Sequence, residues 1–161
     1  YRKIKFNGGR RLMKDKLTWF ENVEERVHPW EGLGLKWLTA AISVTNVQRA
    51  VDFYTGIMGM IAISELEDDN KDLLFARIRD RGVNFVINKE GFDSAPLSPE
   101  SSGQVPPFIF YLYVDNVKEL TEKMLKNGAV SQIEISETPW GDLRARLRDP
   151  FGYVWDIAQK I

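Results

Sequence analysis

The chain has 161 residues, of which 43% are hydrophobic, and its formal net charge is -1 at pH 7. This length and composition predict a folded chain with one domain, or with two small modules that share a core. The near-zero charge gives no general reason to expect nucleic acid or an anionic membrane as a partner. Because no apolar stretch approaches the ~20 residues of a membrane span and the start lacks a secretory signal, we expect a cytoplasmic location.

The counts of two residue types narrow the chemistry further. The chain contains no cysteine, which excludes disulfides and thiol chemistry, and His28 is its single histidine. One chain therefore cannot supply a two-histidine metal site.

The first 37 residues form a segment of their own in the sequence. Apolar residues at Met13, Leu17, Phe20 and Val27 have helical spacing, and the stretch "HPWEGLG" that follows is typical of a break. We predict an N-terminal extension, 1–37, with an amphipathic helix that packs on the main body. A remnant of a partner module or an oligomerisation arm is the alternative.

A β-α unit begins the main body, 38–161. Trp37 to Val44 is typical of a strand. The helix predicted after it has one apolar face, formed by Val47, Ala50, Val51 and Tyr54, and it ends before Gly59. Three further strands are indicated by "MIAISELE", "KDLLFARIR" and "GVNFVIN". The order is βαβββ over residues 39–88.

The same order returns after the Pro- and Ser-rich link "DSAPLSPESSGQVPP". The strand "FIFYLYV" and the helix "VKELTEKMLKNG" are followed by strands at "SQIEIS", "DLRARLR" and "YVWDIAQ". A second βαβββ module is therefore predicted over residues 109–158.

Specific residues repeat as well as element types. "ARIRD" at Ala76 is matched by "ARLRD" at Ala145, Asn46 corresponds to Asn116, and Gly82 corresponds to Gly152. Convergence of two β-α turns on similar caps is the simpler alternative, because Asn commonly caps helices. Matches at both ends of each module favour duplication.

These residues carry a resemblance to a family. "NVQRAVDFYTGIMGM", "VDNVKELTEKMLKNGA" and "TPWGDLRARLRDPFGYVWDIA", with the paired βαβββ order, resemble the glyoxalase/bleomycin resistance/dioxygenase family, also called the vicinal oxygen chelate superfamily. The resemblance implies an α+β fold in which two modules form a curled, cup-shaped mixed sheet with flanking helices. It also implies a cup that holds either a divalent metal or a small molecule and that is often completed in a homodimer.

The resemblance also locates the family's metal positions, which would fall at Thr39, Val86, Ile109 and Asp156. Asp156 alone offers an anionic ligand, and a transition metal needs three or four donors. We therefore expect no metal and no other cofactor, and the pattern disfavours glyoxalase I and extradiol dioxygenase activity.

Strand alternation indicates which side chains face the cup. If Asp156 points inward, Val154 and Ala158 join it, whereas Trp155 and Ile157 face the helices. The predicted ligand-binding residues are Arg77, Tyr111, Tyr113, Trp140, Arg146 and Asp156. Such a lining suits a small aromatic or anionic molecule.

Plainer roles remain open for the same residues. Trp140 can be a packed turn residue, Asp156 can pair with an arginine across the sheet, and the arginine rows can be a solvated strand face. Asp149 and Pro150 need only a turn explanation.

The leading hypothesis is a homodimer that sequesters or senses a small molecule. The alternative is a divergent lyase, dioxygenase or isomerase of the same superfamily, with Asp156 as a general base whose pKa an apolar cup raises.

Overall fold

The computed structural model describes residues 38–161. The predicted extension 1–37, its amphipathic helix and His28 lie outside the described residues. Among the described residues, no helix has the length and apolar character needed to cross a bilayer.

The first module has one helix and four strands in the predicted order. Its elements are β1 (Ala40–Val44), α1 (Val47–Gly56), β2 (Ile61–Glu67), β3 (Leu73–Asp80) and β4 (Val83–Lys89).

The second module repeats this order. Its elements are β5 (Phe110–Tyr113), α3 (Val117–Lys126), β6 (Val130–Glu137), β7 (Asp142–Arg148) and β8 (Val154–Lys160). The link between the modules contains a 3-10 turn, Phe92–Ser94, and a short helix, α2 (Pro99–Ser102), which the sequence analysis did not predict. Ser98 caps α2 by accepting a hydrogen bond from the Ser101 backbone N–H at 3.2 Å.

Each module folds into one four-stranded mixed sheet. The strand orders are β1-β4-β3-β2 and β5-β8-β7-β6, with the first and last strands of each module parallel and the other pairs antiparallel. The first and second strands of each module run parallel at opposite edges of the sheet. A crossover connection is needed between such strands, and the helix provides it. The predicted α+β class with two mixed sheets and flanking helices is confirmed.

The helices α1 and α3 begin in the same way. The side-chain oxygen of Asn46 accepts a hydrogen bond from the Arg49 backbone N–H at 2.9 Å, and that of Asn116 accepts one from Glu119 at 3.1 Å. Each asparagine satisfies a backbone donor that a helix start leaves without an internal partner. The equivalence of these two positions in the duplication is thus visible in the structure.

The turns before β4 and β8 are less alike than the sequence suggests. Gly152 has a φ of +91°, and a Cβ there would lie 2.5 Å from the Cβ of Pro99. In the first module the left-handed position falls on Arg81, with a φ of +51°, and Gly82 lies outside that region. The turn before β8 is one residue longer than the turn before β4. The two turns therefore place their left-handed residue, the position that favours glycine, at different points of the aligned sequences.

Strand alternation divides each sheet as predicted. Trp155 and Ile157 are buried in one hydrophobic core with Ile78 and Ile87 of the first module. Asp156 lies on the opposite face of β8, with Val154 and Ala158. The core therefore joins the helix-facing sides of both sheets, and the polar residues of β7 and β8 lie on the other side.

A buried carboxylate connects the two modules. The Tyr54 hydroxyl, on α1, donates a hydrogen bond of 2.6 Å to Asp149 Oδ2, which also accepts one of 2.8 Å from the Trp155 indole N–H. Asp149 Oδ1 accepts the backbone N–H groups of Phe151 and Tyr153, each at 2.9 Å. Asp149 thus forms the predicted turn and also joins the modules, a role that a turn explanation alone does not cover.

A second tyrosine reinforces this junction. The Tyr153 hydroxyl donates a hydrogen bond of 2.8 Å to the Ser43 carbonyl and accepts one of 2.9 Å from the Ser43 backbone N–H. These bonds satisfy the backbone of β1 on the side that β4 does not reach.

Removing the Tyr54 hydroxyl tests this junction. We expect Tyr54→Phe to lower the free energy of unfolding by about 1 to 3 kcal/mol, because a buried carboxylate loses a donor that water cannot replace. Thr55→Val is the control, since its hydroxyl bonds only the Val51 carbonyl of its own helix. Chemical denaturation measures both. Equal small losses would show that the Tyr54–Asp149 bond does not stabilise the module junction.

Candidate functional site

The polar face of the second sheet places the predicted residues in two rows across three strands. Tyr111 on β5 lies beside Asp156 on β8, which lies beside Arg146 on β7. In the next row, Ala158 separates Tyr113 from Arg144. Each row therefore combines an aromatic ring with an arginine, as the strand alternation predicts.

One buried carboxylate holds three aromatic side chains, and we call Asp142, Tyr111, Tyr113, Trp140 and Lys160 the Asp142 cluster. Asp142 Oδ2 accepts hydrogen bonds from the hydroxyls of Tyr111 at 2.8 Å and Tyr113 at 2.7 Å, and from the Trp140 indole N–H at 2.9 Å. The Tyr111 and Tyr113 ring centroids are 5.4 Å apart. The polar ends of these side chains are fixed, whereas the residues Tyr111, Tyr113 and Trp140 are 41%, 49% and 58% exposed.

Lys160 fixes the turn that carries Trp140. Its Nζ donates hydrogen bonds to the carbonyls of Trp140 at 2.9 Å and Gly141 at 2.7 Å, and lies 3.4 Å from Asp142 Oδ1. The Thr138 hydroxyl accepts the Asp142 backbone N–H at 3.0 Å. Trp140 is therefore a positioned turn residue with an exposed ring, rather than one buried for packing.

The Asp142 cluster shifts the ionisation of its members. The hydrogen bond to Asp142, with burial, raises the pKa of Tyr113 to about 12. Burial and the same carboxylate raise the pKa of Tyr111. Burial opposes ionisation of Asp142, but the bonds from Tyr113, Tyr111 and Lys160 outweigh it and lower the pKa of that carboxyl. Asp142 is thus an ionised acceptor and both phenols are neutral donors.

Asp156 forms the second group, the Asp156 cluster, with Arg144 and Arg146. Arg146 donates to both carboxylate oxygens, from Nε to Oδ1 at 2.7 Å and from a terminal nitrogen to Oδ2 at 2.8 Å. Arg144 donates to Oδ2 at 3.1 Å. The pairing of Asp156 with an arginine across the sheet, one of the open readings, is therefore present, and it involves two arginines.

The general-base hypothesis for Asp156 required an isolated carboxylate with a raised pKa. Burial does act in that direction, but the hydrogen bonds and charges of Arg146 and Arg144 outweigh it and lower the pKa of Asp156. The expectation of a raised pKa was wrong because two guanidinium groups, rather than apolar side chains, surround the carboxylate.

Arg77 occupies the equivalent position on the first sheet but stands apart from both clusters. It lies beside Val86 on β4, where the second sheet has Asp156 beside Arg146. Its half-buried side chain has no hydrogen bond or ion pair within the described part of the chain. The structure brings together five of the six predicted site residues in two adjacent clusters, and Arg77 shares no hydrogen bond or ion pair with these clusters among the described residues.

The metal positions implied by the resemblance do not suit a divalent ion. Val86 and Ile109 offer no donor atom, and both oxygens of Asp156 are bound by arginines. No three His, Cys, Asp or Glu side chains within residues 38–161 lie close enough together to hold a metal ion. These residues do not fit the metal centre that the resemblance implies.

A cavity of about 490 Å³ lies between the two sheets, next to the Asp142 cluster. We call it the aromatic cavity, because five of the residues that line it are aromatic: Phe85, Phe110, Tyr111, Tyr113 and Trp155. Leu38, Ala40, Met60 and Val83 add aliphatic surface, and Asp80, Arg81 and Asn84 supply polar groups. The ring of Phe110 stacks on that of Trp155 with a centroid separation of 4.5 Å.

Sequence reasoning missed Asp142 and Lys160, which organise the exposed aromatic side chains. The sequence places Asp142 at the start of the strand "DLRARLR" and predicts no role for it. An acidic residue on the cup-facing side of a strand was nevertheless a possible signal of a binding role. Its partners Tyr111 and Tyr113 are 31 and 29 residues away in the sequence, so only the tertiary structure shows the cluster.

Comparisons with known proteins agree with this architecture. The sequence model described as Glyoxalase/Bleomycin resistance protein/Dioxygenase superfamily matches residues 34–157. An uncharacterized protein of Mycobacterium bovis is 25% identical over 131 residues, which cover 77% of this chain and 83% of that protein.

Two solved structures show the same fold at low identity. The alignment with the crystal structure of TioX from Micromonospora sp. ML1 covers 79% of this chain and 100% of the TioX chain, with a TM-score of 0.63 and 17% identity. TnmS3, an antibiotic binding protein from Streptomyces sp. CB03234, covers 78% of this chain and 98% of its own, with a TM-score of 0.54 and 19% identity.

The Asp156 cluster predicts a specific pH dependence. The pKa of Asp156 is lowered from 3.8 in the folded chain, so its stabilising contribution is complete above pH 3.8 and is lost as the pH falls through the folded pKa. We expect Asp156→Asn to lower the free energy of unfolding at neutral pH by about 2 kcal/mol, because two partly buried arginines lose their charged hydrogen-bond acceptor. The difference from the wild type should shrink on acidification below pH 3.8.

Denaturant titrations at a series of pH values measure this difference. Glu119→Gln is the control, because the exposed Glu119–Lys123 pair contributes little to stability. A difference that stays constant or grows on acidification would contradict the assignment of Asp156 as an ionised partner of the arginines.

Proposed function

Because the chain belongs to the glyoxalase/bleomycin resistance/dioxygenase superfamily, we propose that it binds a small aromatic molecule in the aromatic cavity and does so without a metal centre. One observation carries this proposal. Tyr111 and Tyr113 line the aromatic cavity, and the same two side chains are anchored at their hydroxyls to the buried Asp142.

The size and lining of the cavity support the choice of ligand. About 490 Å³ lies within the ~300–1,000 Å³ that small-molecule sites occupy. Five of the residues at the cavity are aromatic, and the ring surface that they expose there favours a flat aromatic partner through offset or edge-to-face contacts. The few polar groups at the cavity are those of Asp80, Arg81 and Asn84, and the Arg81 guanidinium already pairs with Asp115 at 2.9 Å.

Anchoring of the tyrosines favours tight binding. A free surface tyrosine loses conformational entropy when a ligand orders it, and this cost weakens binding. Tyr111 and Tyr113 lose that freedom on folding, because their hydroxyls share one carboxylate oxygen. The wall that the ligand meets is therefore ordered in advance.

The ionisation of the site favours binding over proton-transfer chemistry. A general base needs a pKa near the working pH. The pKa of Tyr113 is raised to about 12, that of Tyr111 is raised, and those of Asp142 and Asp156 are lowered. None of these four groups is suited to abstract a proton at neutral pH.

The comparison with TnmS3, described as an antibiotic binding protein, is consistent with this proposal. Homodimer formation, a cytoplasmic location and a ligand contact for Arg77 stay predictions from the sequence.

Neutral aromatic probes test the proposal. We expect 2-naphthol to bind with a 1:1 stoichiometry in calorimetry, and its saturated counterpart decalin-2-ol to bind much more weakly, because the saturated rings lack π-faces. Tyr113→Leu should weaken 2-naphthol binding about tenfold, which combines the lost ring contact with the lost anchor. Tyr113→Phe keeps the ring and should have a smaller effect.

The matched control is Phe92→Leu, which removes a ring in the link between the modules, away from the cavity. Absence of saturable naphthol binding, or equal affinity in the wild type and Tyr113→Leu, would refute aromatic binding in this cavity.

A further inference from the structure

The Asp156 cluster contains more positive than negative charge. Two guanidinium groups share one carboxylate, so the cluster carries a net charge of +1. The side chains of Arg144, Arg146 and Asp156 are only 14%, 27% and 4% exposed. A guanidinium group that is largely removed from water is stabilised when an anion or another strong hydrogen-bond acceptor binds to it.

A second cavity places part of this charge in contact with apolar surface. About 400 Å³ lies between the link segment and the second sheet, with Arg146 and Gln132 as its polar side chains. Phe108, Ile109 and Val154 are among the apolar residues that line the rest. This cavity shares no lining residue with the aromatic cavity.

A buried donor in the same cluster is also unsatisfied. Arg144 Nε is buried and has no hydrogen-bond partner in the described structure. Asp156 already accepts from three guanidinium nitrogens, so it leaves this fourth donor unmatched. This donor belongs to Arg144, which does not line the second cavity, and it shows that Asp156 alone does not satisfy the two arginines.

We propose that the cavity beside Arg146 is a binding site for a small organic carboxylate with an aliphatic body. The carboxylate accepts hydrogen bonds from the terminal N–H groups of Arg146 that Asp156 does not use, and it supplies the missing negative charge. Gln132 donates an amide N–H to the same group, and the aliphatic body contacts Phe108, Ile109 and Val154. This site is separate from the aromatic site and does not depend on it.

An aliphatic acid and its amide test the site by calorimetry on the full chain. We expect cyclohexanecarboxylate to bind at least about tenfold more tightly than cyclohexanecarboxamide, because only the acid carries the compensating charge. Gln132→Glu should remove this preference, since it adds a negative charge beside Arg146 without altering the Asp156 pairs. Gln48→Glu, the same change on the exposed face of α1, should leave it intact.

Arg146→Gln gives a second measurement. It leaves Arg144 paired one-to-one with Asp156, so the excess charge disappears and the preference for the acid should fall about tenfold. Equal affinity for the acid and the amide, no binding of either, or an unchanged preference in Gln132→Glu would overturn the proposal. Because both probes are aliphatic, such a failure would leave the 2-naphthol result unaffected, and the reverse also holds.

Discussion

A carboxylate that leaves water must receive hydrogen bonds or counter-charges from the protein, because a buried uncompensated charge is strongly destabilising. Asp142, Asp149 and Asp156 are the buried acidic side chains of the described part of the chain, with exposures of 0%, 4% and 3%. Asp149 collects donors that join the modules, Asp142 collects the aromatic side chains, and Asp156 collects the arginines. The positions of these partners are largely consequences of that one requirement.

All three carboxylates belong to the second module, although the fold is duplicated. By the correspondence of strands, Leu73 stands where the second module has Asp142, and Val86 stands where it has Asp156. Asp80 matches Asp149 in type but is only half-buried. The first module therefore reproduces the backbone and the core, whereas the polar chemistry is concentrated in the second. Symmetry of the fold does not extend to symmetry of the site.

The sequence predicted the elements and the faces because these depend on local periodicity and on repeated residues. The strand alternation at Asp156, the caps at Asn46 and Asn116, and the βαβββ order all follow from short-range patterns. Contacts between distant segments could not be predicted in this way. The Tyr54–Asp149 bond joins residues 95 apart, and Asp142 meets Tyr111 across 31 residues. Likewise, the duplication suggested that Arg77 and Arg146 share one environment, but their neighbours across the strand are Val86 and Asp156.

The central claim is that Asp142 holds Tyr111 and Tyr113 as an ordered wall of the aromatic cavity. The most direct test is the affinity of Asp142→Leu for 2-naphthol, because leucine is the residue that the first module has at this position and is compatible with the fold. The account predicts that the variant folds and that its affinity falls about tenfold, since the tyrosines lose their shared acceptor and must be ordered by the ligand. A folded Asp142→Leu variant with wild-type affinity would contradict it.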